Sequence, residues 1–257
     1  MTSYPIGAQM YSLRDRMTDE AGIRQVLKDV KKLGYNTCQM SGFSRAVAPE
    51  AIRDALCEAG MECGATHFGF PDYENNLDEI VRIHKLWSCR YPGVGSMPDM
   101  YRASREGFVE FAKKASAIAE KLADQGLHFI YHNHAFELQK FDGLTGLEIL
   151  MENSSPALQF ELDLFWLQAG GASPEDWIEK VAGRMDVVHF KEMVGGNTLP
   201  MMAPIGDGNM NWPRLMEKCD QIGVKYAFIE QDNAVDTDSL HCMERSIRYL
   251  SSIGGRF

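Results

Sequence analysis

The sequence predicts a closed (β/α)₈ barrel formed by residues 1–257 as one domain. Three observations favour this fold. Helical segments that end in glycine alternate with short apolar segments along the chain. The 257 residues divide into eight such units of about 32 residues, which matches the roughly 250 residues of these barrels. Polar residues also recur where the apolar segments end, as expected if parallel strands bring their carboxyl ends to one face.

The helices are predicted from their periodicity and from their ends. Glycine readily adopts the left-handed backbone conformation that follows a helix. Five predicted helices end in this way, at Gly34, Gly60, Gly126, Gly183 and Gly223. The helix before Gly126 has one apolar face, with residues three and four positions apart: Phe108, Phe111, Ala115, Ile118 and Leu122. Residues 173–176 combine a capping serine, a first-turn proline and two acids, which predicts a helix start.

The strands are predicted from short apolar segments without polar alternation, which is typical of strands covered by helices. They lie near residues 5–10, 35–40, 62–67, 91–97, 127–133, 157–163, 186–190 and 225–231. The fourth strand is placed mainly by counting units. The alternative is an open, doubly wound sheet, which usually carries a glycine-rich fingerprint after its first strand. The segment "GAQMYSLRD" has no such fingerprint.

Composition excludes several classes of function. The chain has 26 basic and 36 acidic residues and a net charge of −10, which argues against a nucleic-acid partner. The six cysteines form no C-x-x-C pair, so reduced thiols are expected. The sequence has neither a signal peptide at its amino end nor a segment of about 20 apolar residues. We therefore expect a cytoplasmic protein without a membrane partner.

Polar residues follow seven of the eight predicted strands. The first three end at Gln9, Gln39 and His67, and the last four at His132 with His134, Asp163, His189 and Glu230. In a parallel barrel, these ends lie on the face where active sites are built. We therefore predict that these side chains converge on one site.

The residue types at the last four strands are typical of a metal site. Asp163, His189 and Glu230, with either His132 or Glu137, form a mixed oxygen and nitrogen set without a thiolate. Such a set suits Mn²⁺, Co²⁺, Zn²⁺ or Mg²⁺. One divalent ion held in this way can polarise the carbonyl and hydroxyl groups of a substrate.

Two further features are candidates for substrate binding. Lys191 lies two residues after His189 and therefore on the same side of the strand, where it either contacts substrate oxygens or pairs with an acid. The segment "APIGDGNMNW", residues 203–212, contains Gly206, Asp207 and Gly208. It is either a phosphate-binding or substrate-binding loop that includes Asp207, or a plain connection to the helix that follows.

The ordered segments "IGAQMYSLRD", "IYHNHAFE", "ELDLFWLQAGG", "VVHFKEM", "IGDGNMNW" and "IEQD" resemble the sugar phosphate isomerase/epimerase superfamily. Its members are xylose isomerase-like barrels of the AP endonuclease 2 type. The resemblance covers residues from about 5 to about 250. It implies one divalent ion, with Mn²⁺ as the first choice, held by Glu, Asp, His and Glu from strands five to eight.

Asp163, His189 and Glu230 match the last three of those ligand positions. The first position differs, because many relatives read Glu-Asn-His where this chain reads His132-Asn133-His134. Either His132 takes the ligand position or Glu137 reaches back to it. Glu137 is preferred, because a third carboxylate would keep the ligand set hard.

The resemblance also implies catalytic roles. His134 matches the base of dehydratase-like relatives, and an imidazole has a suitable pKa for proton transfer. Glu230 and Glu137 would be further catalytic groups, and Lys191 would contact a substrate oxyanion. Hydroxyl-binding residues would be Gln9, Gln39 and His67.

The predicted function is a metal-dependent isomerase or epimerase that removes a proton beside a carbonyl of a sugar or polyol. Elimination from a keto sugar, a keto-glycoside or an inosose is the first alternative, because a second catalytic carboxylate is uncertain. A non-catalytic carbohydrate-binding barrel is the second. DNA repair of the endonuclease IV kind is disfavoured, because its metal cluster needs more than the seven histidines present. The expected partner is a small carbohydrate, and the chain is a candidate homo-oligomer.

Overall fold

Eight short parallel strands close into a ring in which each strand pairs with the next barrel strand along the chain and the last pairs with the first. The computed structural model describes residues 1–196, 200–234 and 238–257. The barrel strands are β1 (Ile6–Gln9), β2 (Thr37–Met40), β3 (Glu62–Phe68), β4 (Pro92–Val94), β5 (Ile130–His132), β6 (Gln159–Asp163), β7 (Val187–Phe190) and β8 (Tyr226–Ile229). The predicted (β/α)₈ fold is confirmed, including the fourth strand, which pairs with β3 and β5.

Helices surround the barrel. They are α1 (Glu20–Lys32), α2 (Pro49–Ala59), α3 (Phe70–Asn75), α4 (Leu77–Leu86), α5 (Arg105–Ala123), α6 (Gly146–Asn153), α7 (Leu164–Ala169), α8 (Pro174–Lys180), α9 (Trp212–Ile222) and α10 (Ser239–Ser252). Short 3₁₀ turns span Met10–Arg16, Asp99–Tyr101 and Phe136–Leu138. Two small hairpins pair Lys140–Phe141 with Leu144–Thr145, and Glu192–Val194 with Met201–Ala203. Within the described ranges, none of the helices has the length and apolar character needed to cross a bilayer.

The predicted helix ends are confirmed by the backbone. All five glycines named from the sequence have positive φ angles, between 63° at Gly60 and 110° at Gly34. At the start of α8, the Ser173 hydroxyl accepts a hydrogen bond from the Asp176 N–H. Local sequence signals therefore determine where these elements begin and end.

The two faces of the barrel sheet differ in character. Outward side chains such as Leu162 and Val188 join the main apolar core beneath the helices. Inward side chains near the amino ends of the strands form a separate small cluster of Ala65, Tyr91, Ile130, Val187 and Phe228. Toward the carboxyl ends the inward side chains become polar, and they are nevertheless buried. The barrel interior therefore changes from a small apolar cluster to a polar layer that lies directly below the predicted site.

Candidate metal centre and active site

Four side chains from consecutive barrel strands converge at the carboxyl-terminal face. One ligand atom from each of His132, Asp163, His189 and Glu230 lies within 4.8 Å of the others, and all four residues are buried. His132 Nε2 lies 3.3 Å from Asp163 Oδ2, and His189 Nδ1 lies 3.0 Å from Glu230 Oε2. His189 Nδ1 is also 3.9 Å from Asp163 Oδ2. The structure thus brings together two imidazole nitrogens and two carboxylate oxygens.

The backbone holds Asp163 in place. Its N–H donates to Asn133 Oδ1 over 3.0 Å, and its own Oδ1 accepts the Trp166 N–H over 2.9 Å at the start of α7. This leaves Asp163 Oδ2 directed at the cluster. Asp163 is therefore both a helix cap and a member of the cluster.

Lys191 contributes a cation to the same place. Its Nζ lies 3.2 Å from Asp163 Oδ2, 2.8 Å from Glu230 Oε2 and 2.9 Å from Asp232 Oδ2. Burial opposes the charge, but these three carboxylates raise the pKa of Lys191 above its ordinary value. Of the two roles expected for Lys191, the structure shows the ion pairs with acids, and it shows them to oxygens that also face the cluster.

The four residues fit a divalent cation. Burial, followed by the neighbouring His189, lowers the pKa of His132, so its ring is held neutral, which is the form that ligates metals. His132 faces Asp163 through Nε2, and its other ring nitrogen, Nδ1, has no hydrogen-bond partner among the described residues. The two imidazoles and the two carboxylates form a set that suits Mn²⁺, Co²⁺ or Zn²⁺ better than Mg²⁺, which prefers oxygen ligands.

Glu137 does not join this cluster, although the sequence analysis prefers it as the first ligand. Its Oε1 accepts the Tyr131 hydroxyl over 2.5 Å, and its Oε2 accepts the His134 N–H over 2.9 Å. Tyr131 points outward from β5 because its neighbour His132 points inward. Burial raises the pKa of Glu137 to about 8, against the effect of these hydrogen bonds. The geometry therefore favours the alternative, His132, and Glu137 instead anchors the backbone at His134.

His134 contacts two aromatic rings at the mouth of the barrel. Its ring stacks on Phe136 with centroids 5.9 Å apart and lies 5.4 Å from the Trp166 ring. Burial lowers the pKa of His134 to about 3, so the ring is neutral but is a weaker base than the ordinary imidazole expected from the sequence. These contacts present His134 to the cavity above the cluster.

A cavity of about 540 Å³ lies above the four residues. This volume is in the range of small-molecule sites. Five of the site residues predicted from the sequence line it: His67, His132, His134, Lys191 and Glu230. Loop residues complete the wall, among them Arg14, Ser41, Ser96, Asp232 and Asn233. Most of these loop residues carry no strand-end signal, so the sequence did not identify them.

Gln9 and Gln39, expected to bind substrate hydroxyls, lie below the cavity. Both are fully buried, and Gln9 Nε2 donates to Gln39 Oε1 over 2.8 Å. Neither lines the cavity, whereas His67 does. We therefore assign the two glutamines to the polar layer inside the barrel.

Glu161 is a buried charge that the sequence analysis missed. Its Oε2 lies 2.5 Å from His67 Nε2, and its Oε1 lies 3.2 Å from His189 Nε2. Burial opposes the ionised form, but the nearby His189 and His67 hold the pKa of Glu161 well below its usual range. Burial alone would lower the pKa of His189, yet Glu161 and Glu230 raise it to about 10. A signal was present, because Glu161 lies two residues before Asp163 and so faces the same side of β6.

The glycine loop at 203–212 folds around a carboxylate of the chain itself. Glu192 is fully buried and accepts hydrogen bonds from Gly206 N (3.0 Å), Met210 N (3.1 Å) and Trp212 Nε1 (2.5 Å). These donors are therefore unavailable to a phosphate, which the Glu192 charge would also repel. Asp207 pairs with Arg245 and does not line the cavity, so the geometry gives it no contact with a substrate there.

Comparison with known proteins places the fold. Residues 27–253 match the family described as xylose isomerase-like TIM barrel. Among curated proteins, no sequence matches this chain. A sugar phosphate isomerase/epimerase from Parabacteroides distasonis is similar in structure, with 19% identity and a TM-score of 0.82 over 98% of this chain and 95% of that one.

Two further solved structures show the same fold. A probable 3-DHS dehydratase, AsbF, from Bacillus anthracis has 15% identity and a TM-score of 0.71, covering 95% of this chain and 98% of its own. A D-allulose 3-epimerase from Methylomonas sp. has 14% identity and a TM-score of 0.71, covering 98% of this chain and 99% of its own. At these identities the likeness shows the fold alone.

Proposed function

Because the chain belongs to the family of xylose isomerase-like TIM barrels, we propose that it is a divalent-cation-dependent enzyme acting on a sugar or related polyol. In this proposal it is an isomerase or epimerase that transfers a proton beside a substrate carbonyl. The observation that carries the proposal is the convergence of His132, Asp163, His189 and Glu230 beneath a polar cavity.

The four residues would hold one cation, with Mn²⁺ as the first choice and Co²⁺ or Zn²⁺ compatible with the two imidazoles. When bound, such an ion supplies Lewis-acid polarisation of a substrate carbonyl and hydroxyl. The cluster lies directly under the cavity, and two of its members, His132 and Glu230, line the cavity wall.

The side chains around the cavity supply the proton chemistry. His134 lines the cavity, and among the described residues its Nδ1 has no hydrogen-bond partner, so it is the group assigned to take a proton from the carbon beside the carbonyl. The Lys191 ammonium can donate a hydrogen bond to a substrate oxygen that gains negative charge. His67 and the loop residues Ser41 and Ser96 can bind substrate hydroxyls from the opposite wall.

Elimination is the second candidate, and the orientation of Glu137 favours it. Epimerisation needs a proton-transfer group on each face of the substrate carbon. The carboxylates that line the cavity, Glu230 and Asp232, both follow β8, whereas Glu137 is turned toward Tyr131. One base and one acid suffice for loss of a leaving group. The solved relatives include a D-allulose 3-epimerase and a probable dehydratase, so both reactions occur on this fold.

Solvent-deuterium exchange distinguishes these reactions. Protein loaded with Mn²⁺ is incubated with a panel of keto sugars in D₂O, and the products are examined by NMR and mass spectrometry. Deuterium beside the carbonyl, with all hydroxyls retained, supports the isomerase or epimerase. Loss of a hydroxyl or of a glycosidic substituent supports the lyase.

Two controls complete the experiment. His134→Asn should abolish exchange while divalent binding persists, whereas His84→Asn changes a buried histidine outside the barrel and should retain exchange. No exchange and no metal in the purified protein, together with sugar binding that a chelator leaves unchanged, would contradict the enzyme and support a non-catalytic carbohydrate-binding barrel.

A further inference from the structure

The polar layer below the candidate metal centre contains a continuous chain of hydrogen bonds. It runs from the backbone N–H of Tyr11 through Gln9 and Gln39 to Glu161. His189 contacts this chain through Nε2, the ring nitrogen that faces away from Asp163 and Glu230. Gln9, Gln39, Glu161 and His189 are all fully buried. Water is therefore a poor substitute for any partner in the chain.

The orientation of the Gln39 amide is determined from two directions. At one end, Tyr11 N can only donate, and it donates to Gln9 Oε1 over 3.1 Å. The Gln9 amide nitrogen therefore faces Gln39 and donates to its Oε1 over 2.8 Å. At the other end, Gln39 Nε2 donates over 2.8 Å to the Glu161 carboxylate, which only accepts. Both ends require the same amide orientation.

This orientation requires a hydrogen on His189 Nε2, whereas Nδ1 faces the Glu230 carboxylate at 3.0 Å in the metal-free protein. Gln39 Oε1 lies 2.6 Å from His189 Nε2. A carbonyl oxygen only accepts, so Nε2 must donate, and a lone pair on Nε2 would face this oxygen repulsively. Glu161 Oε1, 3.2 Å away, is a second acceptor for the same hydrogen. Gln9 Nε2 is more distant from His189 Nε2, at 3.4 Å, and already donates to Gln39.

We propose that Glu161 and Gln39 are positioning residues that keep a hydrogen on His189 Nε2 and so leave Nδ1 as the nitrogen that binds a cation between Asp163 and Glu230. This inference rests on the proposed cation site and adds to it a reason why His189 binds through Nδ1. A histidine that ligates a metal commonly donates its other N–H to a carboxylate or a carbonyl, which fixes its tautomer. Here Gln39 Oε1 and Glu161 Oε1 both face that N–H and share the task.

Glu161 also connects this chain of hydrogen bonds to the cavity wall. Its second oxygen, Oε2, lies 2.5 Å from His67 Nε2, and His67 lines the cavity. Because a carboxylate accepts at both oxygens, His67 also has its hydrogen on Nε2. One buried carboxylate therefore orients a cavity histidine and a cluster histidine together.

The experiment uses protein with ¹⁵N-labelled histidine, loaded with Zn²⁺ as a diamagnetic probe. Long-range ¹H–¹⁵N NMR reports which nitrogen of His189 bears a hydrogen, and calorimetry reports Zn²⁺ affinity. In the wild-type protein, we expect zinc on Nδ1 and a hydrogen on Nε2. In Glu161→Gln, we expect Zn²⁺ affinity to fall about 10–100-fold and the His189 ring signals to change.

Glu192→Gln is the matched control. Glu192 is also fully buried and accepts several hydrogen bonds, but its partners belong to the loop at 203–212. It should lose stability without a change in Zn²⁺ affinity or in the His189 signals. A purely structural role of Glu161 would make the two variants behave alike.

Two results would overturn the proposal. One is a zinc-loaded wild-type protein in which His189 binds the metal through Nε2 and carries its hydrogen on Nδ1, which the wild-type spectrum reveals even if Glu161→Gln fails to fold. The other is wild-type Zn²⁺ affinity and unchanged His189 signals in a folded Glu161→Gln protein. If the wild-type protein binds no divalent ion, the proposed function fails. The positioning role of Glu161 and Gln39 is then tested separately in the metal-free protein. A slowly exchanging hydrogen on His189 Nε2 supports this role, and the absence of such a hydrogen rejects it.

Discussion

Two buried histidines, one outside the barrel sheet and one inside it, differ in their pKa although both are fully enclosed. His84 on α4 donates from Nδ1 to the Ile80 carbonyl and accepts the Thr66 hydroxyl at Nε2, each over 2.7 Å. Burial lowers the pKa of His84 to about 4. His189 has Glu161 and Glu230 as neighbours, and they raise its pKa to about 10 against the effect of burial. Partners, rather than enclosure, decide the charge of a buried group.

The same contrast runs along a single strand. On β6, Phe160 and Leu162 point outward into the apolar core, whereas Glu161 and Asp163 point into the barrel. The outer face stabilises the fold by excluding water from apolar surface. The inner face holds charges that need specific partners. Substitutions on the two faces should therefore have separable effects on stability and on cation binding.

The largest effect is expected from Asp163→Asn. Asparagine keeps the carbonyl that caps α7 but removes the charge that faces the cluster. Divalent-ion affinity should fall at least about 100-fold, because a lost ligand should cost more than the 10–100-fold typical of an outer-shell partner. Titration calorimetry with Mn²⁺ measures this change. Unchanged affinity would place the cation elsewhere.

Lys191→Met tests whether the Lys191 ammonium and a divalent ion compete for the same carboxylate oxygens. Removal of the buried ammonium leaves Asp163, Glu230 and Asp232 without their partner, so the metal-free protein should lose about 3–5 kcal/mol of stability. Divalent-ion affinity should rise, because the ion no longer competes with Lys191 for Asp163 Oδ2 and Glu230 Oε2. Chemical denaturation with and without Mn²⁺ measures both effects. Weaker ion binding in this variant would show that Lys191 supports the site rather than competing for it.

Leu162→Ala tests the outer face next to Asp163. Leu162 is fully buried in the main core, so its truncation should cost about 2–5 kcal/mol of unfolding free energy. The folded variant should bind Mn²⁺ as the wild-type protein does. A matching loss of ion affinity would mean that the two faces are not independent.

The pH dependence of stability should reveal His84. Its pKa is about 4 in the folded protein against 6.5 when unfolded, so the unfolded chain binds more protons between these values. Stability is then fully present above pH 6.5 and falls as the pH decreases toward 4, by about 3 kcal/mol in total. Urea denaturation of the wild type and of His84→Gln at pH 7 and pH 5 checks this. The variant should show a smaller loss between these two pH values, and equal losses would contradict the assignment.

Much of the fold and part of the site follow from the sequence alone. Helix ends at glycines such as Gly60 and Gly223 and apolar strands between them are local features, and the number of units leads to a closed barrel. Parallel strands in a barrel bring their carboxyl ends to one face, so the sequence alone groups Asp163, His189 and Glu230.

The tertiary structure decided which partner each polar side chain has. Glu137 accepts a hydrogen bond from the outward-facing Tyr131, and Gln39 is hydrogen-bonded to both Glu161 and His189. Glu192 accepts hydrogen bonds from the glycine loop at 203–212. These pairings join residues from different strands and loops, and most of them are far apart in the sequence. Strand periodicity tells which side of the sheet a residue faces, but only the register between neighbouring strands determines which atoms come within hydrogen-bond distance.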